Sequence, residues 1–84
     1  MYFVYVLRNI SGFFHYIGHS KDPKARLKDH NAGKVRATKG HRPFDIIYTE
    51  QYTTRSEAQK REYYLKRGEG NIWLRKKLKK LGRW

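Results

Sequence analysis

A chain of 84 residues without cysteine has room for one domain around one thin hydrophobic core, and it excludes disulfides and cysteine-ligated zinc, with a reducing intracellular, cytoplasmic setting as the default expectation. Twenty Lys and Arg against seven Asp and Glu leave a formal charge of +13, more than solubility asks for, which points to a polyanionic partner: nucleic acid first, then acidic membranes or acidic proteins. Seven Tyr, four Phe and two Trp are expected to carry much of the packing.

Residues 2–8, YFVYVLR, are branched and aromatic with no breaker, which predicts a strand buried on at least one face. The opening MYFVYVL has no basic leader or cleavage site and is far short of the roughly 20 apolar residues that span a bilayer, so a strand of a soluble protein is expected. Asn9–Gly12 supplies turn residues, and Phe13–Ile17 resumes aromatic and branched character, so the two runs pair as an antiparallel hairpin. Tyr5 and Tyr16 then sit on neighbouring strands, with register left open. Gly18 is expected to close the second strand. Asp22 before Pro23 is a helix start, an N-cap acceptor followed by a residue whose missing N–H costs nothing at N1. That helix runs to about Ala32 and stops at Gly33. Leu27 is its one large apolar residue, and Arg26 and His30, four apart, share a face beside it.

From Gly33 to Pro43 the chain carries Lys34, Arg36, Lys39, His41 and Arg42 with little periodicity, which predicts a loop, either solvated or tracking phosphates. Residues 44–52, FDIIYTEQY, predict a third strand. Thr54 with Glu57 three residues on is a capping box opening a helix to about Arg67, ended by Gly68 and Gly70. A last helix, Asn71 to Leu81, puts Leu74, Leu78 and Leu81 on one stripe and Arg75, Lys76, Lys77, Lys79 and Lys80 around the rest. The sum is one α+β (α/β) domain over residues 1–84 with the order β-β-α-β-α-α, and no internal repeat.

Glu62 stands out because it lies four after Ala58 and three before Leu65, on the stripe that the helix must bury. An inward carboxylate needs a salt bridge, with an arginine as the expected partner, or a metal. Magnesium accepts one carboxylate completed by waters and phosphate. Arg26 is either a surface cation or, one turn into a helix near the end of a tyrosine-bearing strand, a bidentate contact for a phosphodiester. For Tyr5 or Tyr16 to act as a base, a phenol must shed about three units of pKa. The positive field and Arg26 are expected to push that way, and His30 offers an alternative exit for the proton. His19, beside Gly18, is expected in solvent, and the two histidines do not make a zinc site.

Phe3-Val4-Tyr5, ten intervening residues, Tyr16-Ile17-Gly18, Arg26 in the next helix and Glu62 in a later one together resemble the GIY-YIG nuclease superfamily, most closely its small standalone catalytic domains. The resemblance implies a three-stranded antiparallel sheet flanked by helices and hydrolysis of DNA phosphodiesters with one divalent cation, Mg2+ or Mn2+. It implies that Glu62 binds the metal, that Arg26 stabilises the phosphate transition state, and that Tyr5 or Tyr16 helps activate water. Gly18 belongs to the structural motif, and His30 falls where relatives carry tyrosine or histidine. Phe3 replaces the first glycine of the motif, a packing change that leaves Tyr5 intact. His19 stands where some members have lysine, at a candidate proton-relay position.

The expected function is a structure-selective DNA endonuclease in repair or processing. Lys34, Arg36, Lys39, Arg42 and the cations of the last helix would hold flanking backbone. The rival is a DNA-, RNA- or ribosome-binding protein that keeps the fold without cleaving. A membrane-surface protein rests on the last helix alone. A monomer suffices for any of these, and the sequence leaves the oligomeric state open.

Overall fold

The computed structural model describes residues 1–84. At its centre is β1 (Tyr2–Asn9), hydrogen-bonded antiparallel to β2 (His15–Ser20) on one side and to β3 (Phe44–Tyr52) on the other, in the order β2-β1-β3. Three α-helices complete the α+β fold: α1 (Pro23–Asn31), α2 (Arg55–Lys66) and α3 (Gly68–Lys80). No helix is long and apolar enough to cross a membrane.

The alternation of side chains along β1 divides the core in two. Val4 and Val6, with Ile17 of β2, face α2 and α3 and pack with Ala58, Leu65, Leu74 and Leu78. Tyr5 and Leu7 point the other way and pack with Phe44, Tyr16 and Leu27 of α1. Each of the three buried leucines on the helices α2 and α3 is fully covered, worth roughly 1.5–3 kcal/mol apiece.

The predicted caps form. Asp22 accepts a hydrogen bond from the Ala25 N–H with Pro23 at the start of α1, and Thr54 and Glu57 make both halves of the capping box on α2. Two boundaries differ. The second strand starts at His15, not Phe13, because the Asn9 side chain accepts the Phe14 N–H at 3.0 Å and extends the turn. Phe13 is left 93% exposed at the hairpin tip. Gly18 does not close β2; pairing continues to Ser20, opposite Phe3.

Gly68 and Gly70 do not separate α2 from a later helix but begin α3 itself. Gly68 adopts φ +58° at the bend, where a glycine is strain-free. Gly70 is buried so tightly that a Cβ there would lie 2.0 Å from the Tyr64 carbonyl oxygen. The buried stripe of α3 is therefore Gly70, Leu74 and Leu78, and Leu81, at the C-cap, is exposed rather than part of it. The stretch 33–43 is a loop, but a packed one. It contains a short 3-10 turn (Lys39–His41) and buries Val35 and Thr38. The Asn31 side chain holds its far end, accepting the Phe44 N–H at 2.7 Å and donating to the Phe44 carbonyl at 3.1 Å.

Candidate active site

The register of β1 on β2 builds the first half of the site. Tyr5 lies opposite Gly18 and Leu7 opposite Tyr16, and directly opposed residues share a face of the sheet. Tyr5 and Tyr16 therefore both point toward α1, with ring centroids 6.4 Å apart. Gly18 leaves the space that the Tyr5 ring occupies, since a Cβ on it would come within 2.6 Å of the Tyr5 hydroxyl oxygen.

Behind Tyr5 stands His30 of α1. The Tyr5 hydroxyl is 3.0 Å from His30 Nε2, and His30 Nδ1 is 2.7 Å from the Thr38 hydroxyl oxygen. His30 and Thr38 are completely buried and Tyr5 nearly so. Burial, reinforced by Arg26, holds His30 below the ordinary imidazole range, with Asp29 opposing, so the ring is neutral at pH 7. Burial pushes the Tyr5 phenol up to about 12, with Tyr16 adding to the rise and Arg26 opposing it. The expected depression of this tyrosine by the positive field does not occur, because desolvation outweighs the nearby guanidinium. Tyr5 is a neutral phenol with a neutral imidazole against it.

A cleft of about 520 Å³ opens in front of Tyr5 and Tyr16, lined also by Gly18, His19 and Arg26. Arg26 is 41% exposed, and its one ionic contact, with Asp29 on the same helix, is long at 3.5 Å, so its guanidinium can turn to an anion in the cleft. Lys21 and Arg55 add positive charge to the lining. Neither cation stood out in the sequence, where nothing distinguishes them from the other lysines and arginines. Lys34, Arg36, Lys39 and Arg42 on the loop, and Arg75, Lys76, Lys77, Lys79 and Lys80 on α3, are exposed but do not line the cleft.

The second half approaches from the other face. His19 lies opposite Val4 and projects toward α2, where its Nδ1 meets Glu62 Oε1 at 2.7 Å. Glu62 Oε2 meets Lys66 Nζ at 2.8 Å, and the carboxylate side chain is 12% exposed. Glu62 points inward as its spacing predicts, but its partners are a histidine and a lysine rather than an arginine. His19 is a partner in this contact and not a solvated turn residue. Lys66 was within reach of sequence reasoning, being four residues after Glu62 on the same helix. Glu62 and His30 do not line the cleft themselves. Glu62 is close enough to help raise Tyr5, so β2, an edge strand, brings both halves together around Gly18.

Three or more His, Cys, Asp or Glu side chains do not converge anywhere, so there is no protein cage for a metal ion. Glu62 is nonetheless a hard oxygen donor beside an open cationic cleft. That set suits an ion that takes one carboxylate and fills its other positions with water and phosphate oxygens. Glu62 fits such an ion provided that an oxygen is released by Lys66 or His19.

A separate acid passed unnoticed in the sequence. Glu50 of β3 accepts the Tyr48 hydroxyl at 2.5 Å, the Tyr52 hydroxyl at 2.7 Å and Arg61 Nε at 2.8 Å. Burial alone would raise its pKa, but hydrogen bonds from Arg61, Tyr48 and Tyr52 together hold it below the usual carboxylate value. With all its partners satisfied it ties β3 to α2.

The model of the GIY-YIG catalytic domain matches residues 1–78. The chain belongs to the GIY-YIG family. Among its relatives are UPF0213 proteins of Staphylococcus epidermidis, 47% identical over 66 residues, and of Staphylococcus aureus, 44% identical over 66 residues. Each of these alignments covers 77% of this chain and 79% of the relative. The solution NMR structure of a UPF0213 protein from Bacillus halodurans is similar at a TM-score of 0.53 and 30% identity, covering 94% of this chain and 86% of that one. In this GIY-YIG domain Phe3-Val4-Tyr5 lies on β1 and Tyr16-Ile17-Gly18 on β2. Their antiparallel register is what sets Tyr5 over Gly18 and beside Tyr16.

Proposed function

We propose that this GIY-YIG domain is a divalent-metal-dependent endonuclease that hydrolyses DNA phosphodiester bonds, selecting DNA structure rather than sequence, in repair or processing. The observation that carries the proposal is the Tyr5–His30 hydrogen bond at the back of a cleft bearing Arg26. Tyr5 is protonated at neutral pH, so it acts by relay and not as a standing phenolate. As a water oxygen bonds to phosphorus, the water proton passes to the Tyr5 oxygen and the Tyr5 proton passes to His30 Nε2. The bond from phosphorus to the leaving oxygen breaks, that oxygen takes a proton from solvent water, and His30, which holds the former Tyr5 proton, returns it to solvent to complete the cycle. Arg26 receives the charge that builds on the non-bridging oxygens. A divalent cation on Glu62, when bound, would polarise the phosphate and acidify water. The exposed cations of α3 and of the 33–43 loop would hold flanking backbone, which makes affinity salt-sensitive.

One observation favours the rival, a domain that binds nucleic acid without cutting it: both Glu62 oxygens are already engaged, by His19 and Lys66. The deciding experiment incubates the purified protein with branched, flapped and plasmid DNA in magnesium, manganese or chelator, alongside Glu62→Gln, Arg26→Ala and Tyr5→Phe. Nicking by the wild type in metal alone, lost in each variant, is the expected result. Equal binding by all four with no nicking of any substrate establishes the rival.

A further inference from the structure

Thr38 lies in the loop between α1 and β3, carries no charge, and does not touch the cleft, yet it is as fully buried as His30. Its hydroxyl sits between two partners, His30 Nδ1 at 2.7 Å and the Val35 carbonyl oxygen at 3.3 Å. A carbonyl oxygen only accepts, and a threonine hydroxyl has one proton to give. Donated to His30 Nδ1, that proton puts the ring N–H on Nε2; donated to Val35, whose carbonyl also accepts the Thr38 and Lys39 N–H groups, it makes the Thr38 oxygen the acceptor of an Nδ1–H. A neutral imidazole has one N–H, so the second arrangement leaves the Nε2 lone pair facing the Tyr5 hydroxyl at 3.0 Å and gives that hydroxyl's proton an acceptor.

We propose that Thr38 is a positioning residue that fixes His30 as the Nδ1–H tautomer and thereby makes Nε2 the acceptor of the Tyr5 proton. The ring nitrogen that faces away from the chemistry is set by the hydrogen bond it makes, and here that bond comes from a loop that α1 and β3 hold at both ends. The other tautomer would reverse the relay: an Nε2–H would donate to the Tyr5 oxygen, and Tyr5 would have no base behind it. The inference deepens the nuclease reading for its effect on rate, while the tautomer itself is independent of that reading.

The test is side-chain 15N NMR of the full-length protein, labelled at histidine, at neutral pH, for wild type, Thr38→Val and Thr38→Ser. In the wild type His30 is expected to show a protonated Nδ1 and an unprotonated Nε2. Valine cannot accept, so in Thr38→Val the Nε2–H tautomer is expected to take over, with turnover down about 10²-fold, the usual worth of general-base catalysis, and KM little changed. Thr38→Ser restores both the tautomer and the turnover. Thermal unfolding of each variant separates this outcome from misfolding. A wild-type His30 already protonated at Nε2, or a Thr38→Val protein that keeps the wild-type tautomer, overturns the proposal. Should neither the wild type nor any variant cleave DNA, the nuclease reading fails, and the NMR result still decides the role of Thr38.

Discussion

Gly18 and Tyr5 face each other across β2 and β1 with no room to spare: a Cβ on Gly18 would stand 2.6 Å from the Tyr5 hydroxyl oxygen and 2.7 Å from the ring carbon that bears it. The constraint is one of space, since Gly18 is not among the glycines with positive φ. Gly18→Ala is expected to push the Tyr5 ring off its hydrogen bond to His30. The cost is that of overpacking a core, about 1–3 kcal/mol, read as a lower urea midpoint. Cleavage should fall further than stability does, because the proposed relay would be broken even in molecules that remain folded. A variant that cleaves like wild type at equal folded fraction would show that the ring does not need that site.

Lys66 and Glu62 supply a second prediction. A fixed positive charge 2.8 Å from Oε2 competes with any cation for the same oxygen. Lys66→Met is expected to tighten Mn2+ binding to the DNA-free protein several-fold, measured by electron paramagnetic resonance, and Glu62→Gln to abolish it. Unchanged affinity in Lys66→Met would mean that the ion does not use Oε2.

Glu50 has nothing to do with the cleft, and its removal should be felt as stability alone. Glu50→Ala leaves the Tyr48 and Tyr52 hydroxyls and the Arg61 guanidinium without their common acceptor. Leaving such partly buried groups unpaired costs about 2–4 kcal/mol. Chemical denaturation should show that loss, while cleavage measured well below the new melting temperature stays near wild type. A large loss of cleavage in the folded variant would extend the site to the β3 side of the sheet.

The pH dependence of stability has two limbs of known sign. His30 is lowered by burial and Arg26 from an ordinary 6.5, and His15 is lowered by burial and Arg8. As pH falls below about 6.5 the unfolded chain takes up protons that the folded one refuses, so stability drops through the folded pKa values. Tyr5 and Tyr52 are pushed up to about 12 from 10.0, and Tyr48 is raised as well. As pH rises past about 10 the unfolded chain gives up phenolic protons that the folded chain keeps, and stability falls again. The urea midpoint is expected to be level between roughly pH 7 and 9.5 and to decline on both sides. A level midpoint down to pH 5 would contradict a buried neutral His30.

The sequence by itself determined the order of the elements, both helix caps, the placement of Tyr5 and Tyr16 on paired strands, and the inward direction of Glu62. These follow from spacing along a short stretch of chain, where a period of two or of 3.6 assigns faces and a Ser, Thr or Asp before a helix has one natural use. Only the tertiary structure decided what those side chains meet. Tyr5 reaches His30 over 25 residues, and Glu62 reaches His19 over 43. Thr38 lies only eight residues beyond His30, but in a loop without periodicity to place it. The direction of the Tyr5 pKa was hidden for the same reason. Net charge can be counted from composition, whereas desolvation exists only once the neighbours have closed around the hydroxyl, and at that position it is the larger effect.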